Sequence, residues 1–105
     1  MKVLLVFVVY ATLALNSAAA GATDNDVVAA AFSQVCANCH GPTGRGMASY
    51  PKIAGKEAEY IASRLREYRA GNKVGPNSPL MIPHAANLSD AEIESFANYL
   101  ATGLQ

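Results

Sequence analysis

The chain has 105 residues, 8 basic and 8 acidic side chains, a formal net charge of zero and 51% hydrophobic residues. That length bounds it to one small domain. The balanced charge argues against the basic surface that nucleic-acid binding needs, and it supplies no strong field to steer a charged partner.

The N-terminus reads as a processing signal. Met1-Lys2 gives a minimal positive start, and Val3 to Leu15 is an apolar run broken only by Thr12. Ala18-Ala19-Ala20 is a small-residue cleavage site, and Ala20-Gly21-Ala22 is a second. This pattern predicts a secretory signal peptide over residues 1–20, with cleavage alternatively after residue 22, and a mature domain over residues 21–105. The apolar run is shorter than the about 20 residues that span a bilayer, so no retained membrane anchor is expected. Loss of Lys2 leaves the mature domain one more acidic than basic residue.

The mature domain opens on Asp24-Asn25-Asp26, residues that start helices. Val28, Ala31, Phe32 and Val35 then recur at helical spacing and predict an amphipathic helix that delivers Cys36 at its end. Gly41-Pro42 stops it, and Thr43 to Tyr50 is a glycine-rich loop. The loop lacks the Gly-Lys-Ser/Thr ending of a phosphate cradle. Pro51 to Gly55 reads as a turn, followed by a second helix from about Lys56 to Ala70 with Gly71 as its stop. Ile61, Leu65 and Tyr68 mark the inner face of that helix; Arg64, Arg66, Glu67 and Arg69 read as a solvated face. Asn72 to Pro79 reads as a loop leading into Leu80-Met81-Ile82-Pro83. The last helix begins at Ser89, where Ser89-Asp90-Ala91-Glu92 has the form of a capping box. Ile93, Phe96, Ala97 and Leu100 give its buried stripe, and Gly103 ends it.

One stretch carries chemistry. Cys36-Ala37-Asn38-Cys39-His40 is Cys-x-x-Cys-His, the attachment signature of a c-type haem. Two thiols two residues apart can add to the two vinyl groups of one porphyrin, and the next histidine is then held beneath the iron. A thiol redox pair would sit in a strand–helix context, which this sequence does not offer. A zinc site needs four ligands, and only His84 remains as a further cysteine or histidine. Three short predicted helices joined by long loops are too little to close a core, so a large prosthetic group fits the middle of the domain.

An iron bound by His40 has a sixth position. Met81, Met47 and His84 are the candidates. Pro79 and Pro83 restrain the backbone around Met81, which suits a weak thioether ligand. Met47 lies in the glycine-rich loop close to His40, and His84 brings the stronger imidazole ligand. A methionine–histidine pair saturates the iron and raises its potential, as in an electron carrier; an open position would permit ligand binding.

At these residues the chain resembles the class I cytochromes c. It is most similar to small periplasmic members related to one domain of cytochrome c4, to cytochrome c553 and to the haem subunit of flavocytochrome c sulfide dehydrogenase. The resemblance rests on Cys36 to Gly41, on Pro51-x-Ile53-Ala54-Gly55, and on Tyr60, Leu65, Tyr68, Arg69 and Gly71. It continues through Met81, Leu88-Ser89-Asp90-x-Glu92-Ile93 and Ala97-x-Tyr99-Leu100. It implies an all-α fold of three to four helices around one haem c joined to Cys36 and Cys39, with the first and last helices crossing. It implies His40 and Met81 as axial ligands, and a Pro51 carbonyl that accepts the hydrogen bond of the other His40 nitrogen. The function so implied is periplasmic electron transfer without catalysis by the chain itself. Its redox partners would be a respiratory complex, an oxidase or a flavoprotein dehydrogenase. The alternative is a dedicated haem subunit of a periplasmic dehydrogenase. Cytochrome c4 has two such domains in tandem, whereas this chain has one Cys-x-x-Cys-His. Phe32 is expected to meet Phe96 or Tyr99 where the terminal helices cross.

Overall fold

The computed structural model describes residues 24–104. The expected signal peptide and both cleavage sites lie outside the described residues. Among the described residues there are four continuous helical stretches and no strand, with one isolated bridge between Met47 and Tyr50.

The first stretch is built in three pieces. Helix α1 (Asp24–Ala31) has Asp24 and Asp26 in its first turn, where carboxylates suit the positive end of the helix dipole. It widens into a π-helical turn at Phe32–Cys36 and narrows again into α2 (Ala37–His40). Gly41 ends it at φ +85°. The helix therefore runs through the whole Cys-x-x-Cys-His motif and stops at Gly41, where Gly41-Pro42 is expected to end it.

Helix α3 (Ala58–Arg69) starts later than Lys56 because Glu57 is still extended, at φ −56° and ψ 133°. Its end is a Schellman turn. The Gly71 N–H donates to Tyr68 O at 2.9 Å, and the Asn72 N–H donates to Glu67 O at 2.9 Å.

The structure corrects the reading of residues 72–83 as loop. Helix α4 (Ser78–Ala85) occupies the second half of that stretch and contains Leu80 to Pro83. Pro79 lies in the first turn, where backbone N–H groups have no partner inside the helix. Pro83 lies inside the helix and removes one interior bond, which a helix of 8 residues survives. The buried Ser78 hydroxyl fixes the entry, accepting from the N–H groups of Val74 and Gly75, each at 2.9 Å.

Helix α5 (Asp90–Asn98) has the expected capping box, with both hydrogen bonds at 3.1 Å. A π-helical turn, Tyr99–Gly103, follows.

Phe32, Ile61, Ala62, Ile93, Ala97 and Leu100 form the core, drawn from the first stretch, α3, α5 and the final turn. The first and last helices pack on each other. The Phe32 and Tyr99 rings meet there with centroids 6.0 Å apart and planes at 58°, a tilted aromatic pair. Among the described residues, Phe32 and Ile93 are the large side chains removed completely from solvent. Each such residue contributes roughly 1.5–3 kcal/mol, so the protein's own core is thin.

The arginines of α3 do more than face water. Arg69 donates to the Leu88 carbonyl at 3.1 Å and pairs with Asp90 at 2.7 Å. Arg66 pairs with Glu94 and reaches Glu59 at 3.4 Å. These contacts tie α3 to the start of α5. Arg64 pairs with Glu67 on its own helix at 2.8 Å.

Candidate haem site

The site starts from the turn that ends the first helix. His40 is buried, with 7% of its surface exposed. Its Nδ1 lies 2.7 Å from the Pro51 carbonyl oxygen. A carbonyl can only accept, so Nδ1 carries the proton and Nε2 keeps its lone pair for a metal.

The loop from Gly41 to Gly55 exists to bring Pro51 back. The Gly44 N–H donates to Gly41 O at 3.0 Å, and Gly46 N–H donates to His40 O at 2.8 Å. Gly44 O then accepts from Ile53 and Ala54, at 2.8 and 2.9 Å. Met47 and Tyr50 exchange both backbone hydrogen bonds, at 3.2 and 2.8 Å. The Gly55 N–H donates to Leu100 O at 3.0 Å, which fastens the loop to the last helix.

Cys36 and Cys39 are both free thiols and both half-buried. Cys36 packs against the core, and burial pushes its thiol above the usual range, partly offset by a backbone hydrogen bond. Both thiols and the imidazole therefore come from one continuous helix end.

The sixth-ligand candidates fall in two places. Met47 is exposed, at the tip of the loop beside the Met47–Tyr50 bridge. Met81 and His84 share α4; Met81 is half-buried and His84 is exposed. Among the described elements α4 packs on α3 alone. Its apolar residues Leu80, Met81 and Ile82 lie outside the core cluster, and Leu80 is 55% exposed. An apolar stretch of helix outside the protein core, a buried imidazole with its free nitrogen on Nε2, and two unpaired thiols at the end of the first helix together fit a covalently held haem. Among the described residues no three His, Cys, Asp or Glu side chains are gathered so as to hold a bare metal ion.

Sequence reasoning missed α4 and the two π-helical turns. The signal for α4 was present in Asn77-Ser78-Pro79, a cap-like start with proline in the first turn.

An all-α domain with Cys-x-x-Cys-His at the end of its first helix and a carbonyl-braced histidine belongs to the covalent-haem electron carriers. Residues 27–103 match the family model described as Cytochrome c. The chain belongs to the cytochrome c family, as a class I, monohaem member, and carries haem c with its iron.

The chain is 41% identical over 68 residues to cytochrome c-554(548) of Halomonas halodenitrificans, covering 64% of this chain and 82% of that protein. It is 39% identical over 67 residues to the thiosulfate dehydrogenase electron acceptor of Stutzerimonas stutzeri, covering 63% of this chain and 31% of that protein. The reduced recombinant cytochrome c4 of Pseudomonas stutzeri superimposes with a TM-score of 0.65 at 29% identity, covering 74% of this chain. Cytochrome c4 of Acidithiobacillus ferrooxidans gives a TM-score of 0.66 at 28% identity, covering 82% of this chain. The chain spans about half the length of those solved proteins, 47% and 53% respectively. The family is one of electron carriers, and the chain's role is electron transfer to and from redox partners.

Proposed function

We propose that this is an exported, periplasmic one-electron carrier whose haem is joined to Cys36 and Cys39 and whose iron takes His40 and Met81 as axial ligands. The observation that carries the reading is the 2.7 Å hydrogen bond from His40 Nδ1–H to Pro51 O, because it leaves Nε2 as the donor nitrogen. Met81 is favoured over His84 and Met47 by burial: Met81 is half-buried on α4, and the other two are exposed. Export rests on the N-terminal sequence pattern. None of the helices among the described residues is long and apolar enough to cross a membrane.

When bound, the haem supplies an iron couple whose potential axial ligands can move over about 0.8 V. The chain's residues set where in that range it falls. The two thiols would hold the haem, the Pro51 carbonyl orients the His40 ring, and the half-buried thioether of Met81 would be the second protein ligand to the iron, excluding small ligands.

The test is the visible spectrum of the oxidised and reduced holoprotein, followed by carbon monoxide. A low-spin spectrum with the weak far-red sulfur–iron band, indifferent to carbon monoxide, is expected. Met81→Ala should retain the haem, lower the potential by a sizeable part of that about 0.8 V range and admit carbon monoxide. An unchanged spectrum in Met81→Ala would transfer the ligand role to His84 or Met47.

A second reading, a dedicated haem subunit of a periplasmic dehydrogenase, is favoured by one observation. Two of the relatives, from Stutzerimonas stutzeri and Thiomonas intermedia, are electron acceptors of thiosulfate dehydrogenase. In this reading the electron donor is an enzyme that oxidises reduced sulfur.

A further inference from the structure

Gly46 occupies a position that no side chain could share. A Cβ built on it would lie 2.6 Å from Tyr50 O, 2.9 Å from Lys52 N and 3.0 Å from the Pro51 carbonyl carbon. All three are backbone atoms of the peptide units around Pro51, so none can swing aside as a side-chain tip could. On its other side Gly46 is tied down, since its N–H donates to the His40 carbonyl at 2.8 Å. Gly46 thus stands between the backbone of His40 and the peptide that braces the His40 ring.

We propose that Gly46 is a positioning residue for the haem: its bare Cα lets the Pro51 carbonyl close on His40 Nδ1, and so sets the strength of that hydrogen bond and the potential of the iron. The inference rests on His40 being the proximal ligand, as proposed above. The physical chain is short. A strong acceptor on Nδ1–H gives the ring imidazolate character, makes Nε2 a better donor and favours the oxidised iron. A side chain at residue 46 must displace something. The His40 side is anchored to the helix end, and the three atoms the Cβ would press on all belong to residues 50–52, so the displacement falls on the segment that carries the Pro51 carbonyl. The Nδ1–H···O bond lengthens, the ring donates less, and the reduced iron gains.

Gly46 also has φ +86°, where any L side chain is strained. Gly55 separates the two effects. It has φ +75°, and a Cβ there would meet nothing within 4 Å. Gly55→Ala therefore carries the backbone strain without the collision. Gly46→Asn carries the collision with the least strain, because asparagine tolerates the left-handed region.

The experiment uses haem-loaded Gly46→Ala, Gly46→Asn and Gly55→Ala proteins beside the parent. It reads the midpoint potential, and in the reduced, ¹⁵N-histidine-labelled protein the solvent exchange of the His40 Nδ1–H. The chain has two histidines, and His84→Gln identifies the other signal. Both Gly46 variants are expected to show a higher potential and faster Nδ1–H exchange than the parent and than Gly55→Ala. Gly46 variants that match Gly55→Ala in both readouts would overturn the proposal, reducing residue 46 to a backbone requirement. Failure of both Gly46 variants to load haem, with Gly55→Ala loading normally, would overturn it too, because Gly46 would then be needed for folding and not for tuning. A parent His40 ring without the signature of an iron-bound Nε2 would remove the ligand reading itself, and this inference with it.

Discussion

At the scale of single residues, the site divides into what local chemistry dictates and what the fold must supply. Cys36 and Cys39 are two half-buried thiols on one helix end. Each is expected to carry one thioether, and the two bonds together hold the haem against His40. Cys36→Ala or Cys39→Ala should therefore lose most of the covalently loaded protein, measured as haem that stays with the chain on a denaturing gel. Equal haem retention in either variant would show that one bond suffices. These residues were legible in the sequence because five consecutive positions hold the whole motif. The partner of His40 was legible only through family resemblance, since Pro51 lies 11 residues away and reaches the ring through the hydrogen-bonded turn of residues 41–51. The role of Gly46 was not legible at all: a glycine in a glycine-rich loop gives no sign of which backbone it will touch.

At the scale of elements, ends were easier to read than middles. Ser89 was recognisable as a cap because serine and glutamate stand three residues apart ahead of an apolar stripe, and both capping bonds are present at 3.1 Å. Ser89→Ala removes the acceptor of the Glu92 N–H and should cost about 1 kcal/mol, read as a lower denaturation midpoint of the holoprotein at unchanged slope. The same change should leave the visible spectrum intact, because α5 holds no haem-ligand candidate. Helix α4 was misread because two prolines in six residues suggest a break. Asn77-Ser78-Pro79 is compatible with proline in the tolerant first turn, but the sequence does not show that Ser78 closes the entry through Val74 and Gly75. The correction changes the setting of Met81. A helix, not a proline-stiffened loop, presents it, and that helix is carried by α3. The π-helical turn at Phe32–Cys36 was equally hidden, since one residue more per turn leaves no compositional mark. It falls on the turn that bears Cys36, and π-turns recur at functional sites.

At the scale of the whole molecule, the thin core and the function are the same fact seen twice. Among the described residues Phe32 and Ile93 are the large side chains fully inside, and α4 leaves Leu80, Met81 and Ile82 outside the core cluster. A domain so built depends on its prosthetic group for much of its apolar burial, and so the folded state and the loaded state should coincide. What remains open between the two functional readings is permanence of association. Exposed large apolar residues include Val27, Val35, Tyr60, Val74 and Leu80, which come from α1, the π-turn after it, α3, the loop after α3, and α4. A permanent subunit normally buries an interface of about 1,200 Å² or more with an apolar centre. The surface charge is balanced and α3 pairs Arg64, Arg66 and Arg69 with carboxylates, so no dominant field holds a partner at low salt. The carrier reading therefore predicts that the holoprotein, recovered from its native host, elutes from size exclusion as a monomer at both low and high salt. The subunit reading predicts co-elution with a dehydrogenase that survives high salt. Transfer kinetics decide the same point independently. A freely diffusing carrier gives an electron-transfer rate that rises in proportion to its concentration, whereas a resident subunit gives one that does not depend on it.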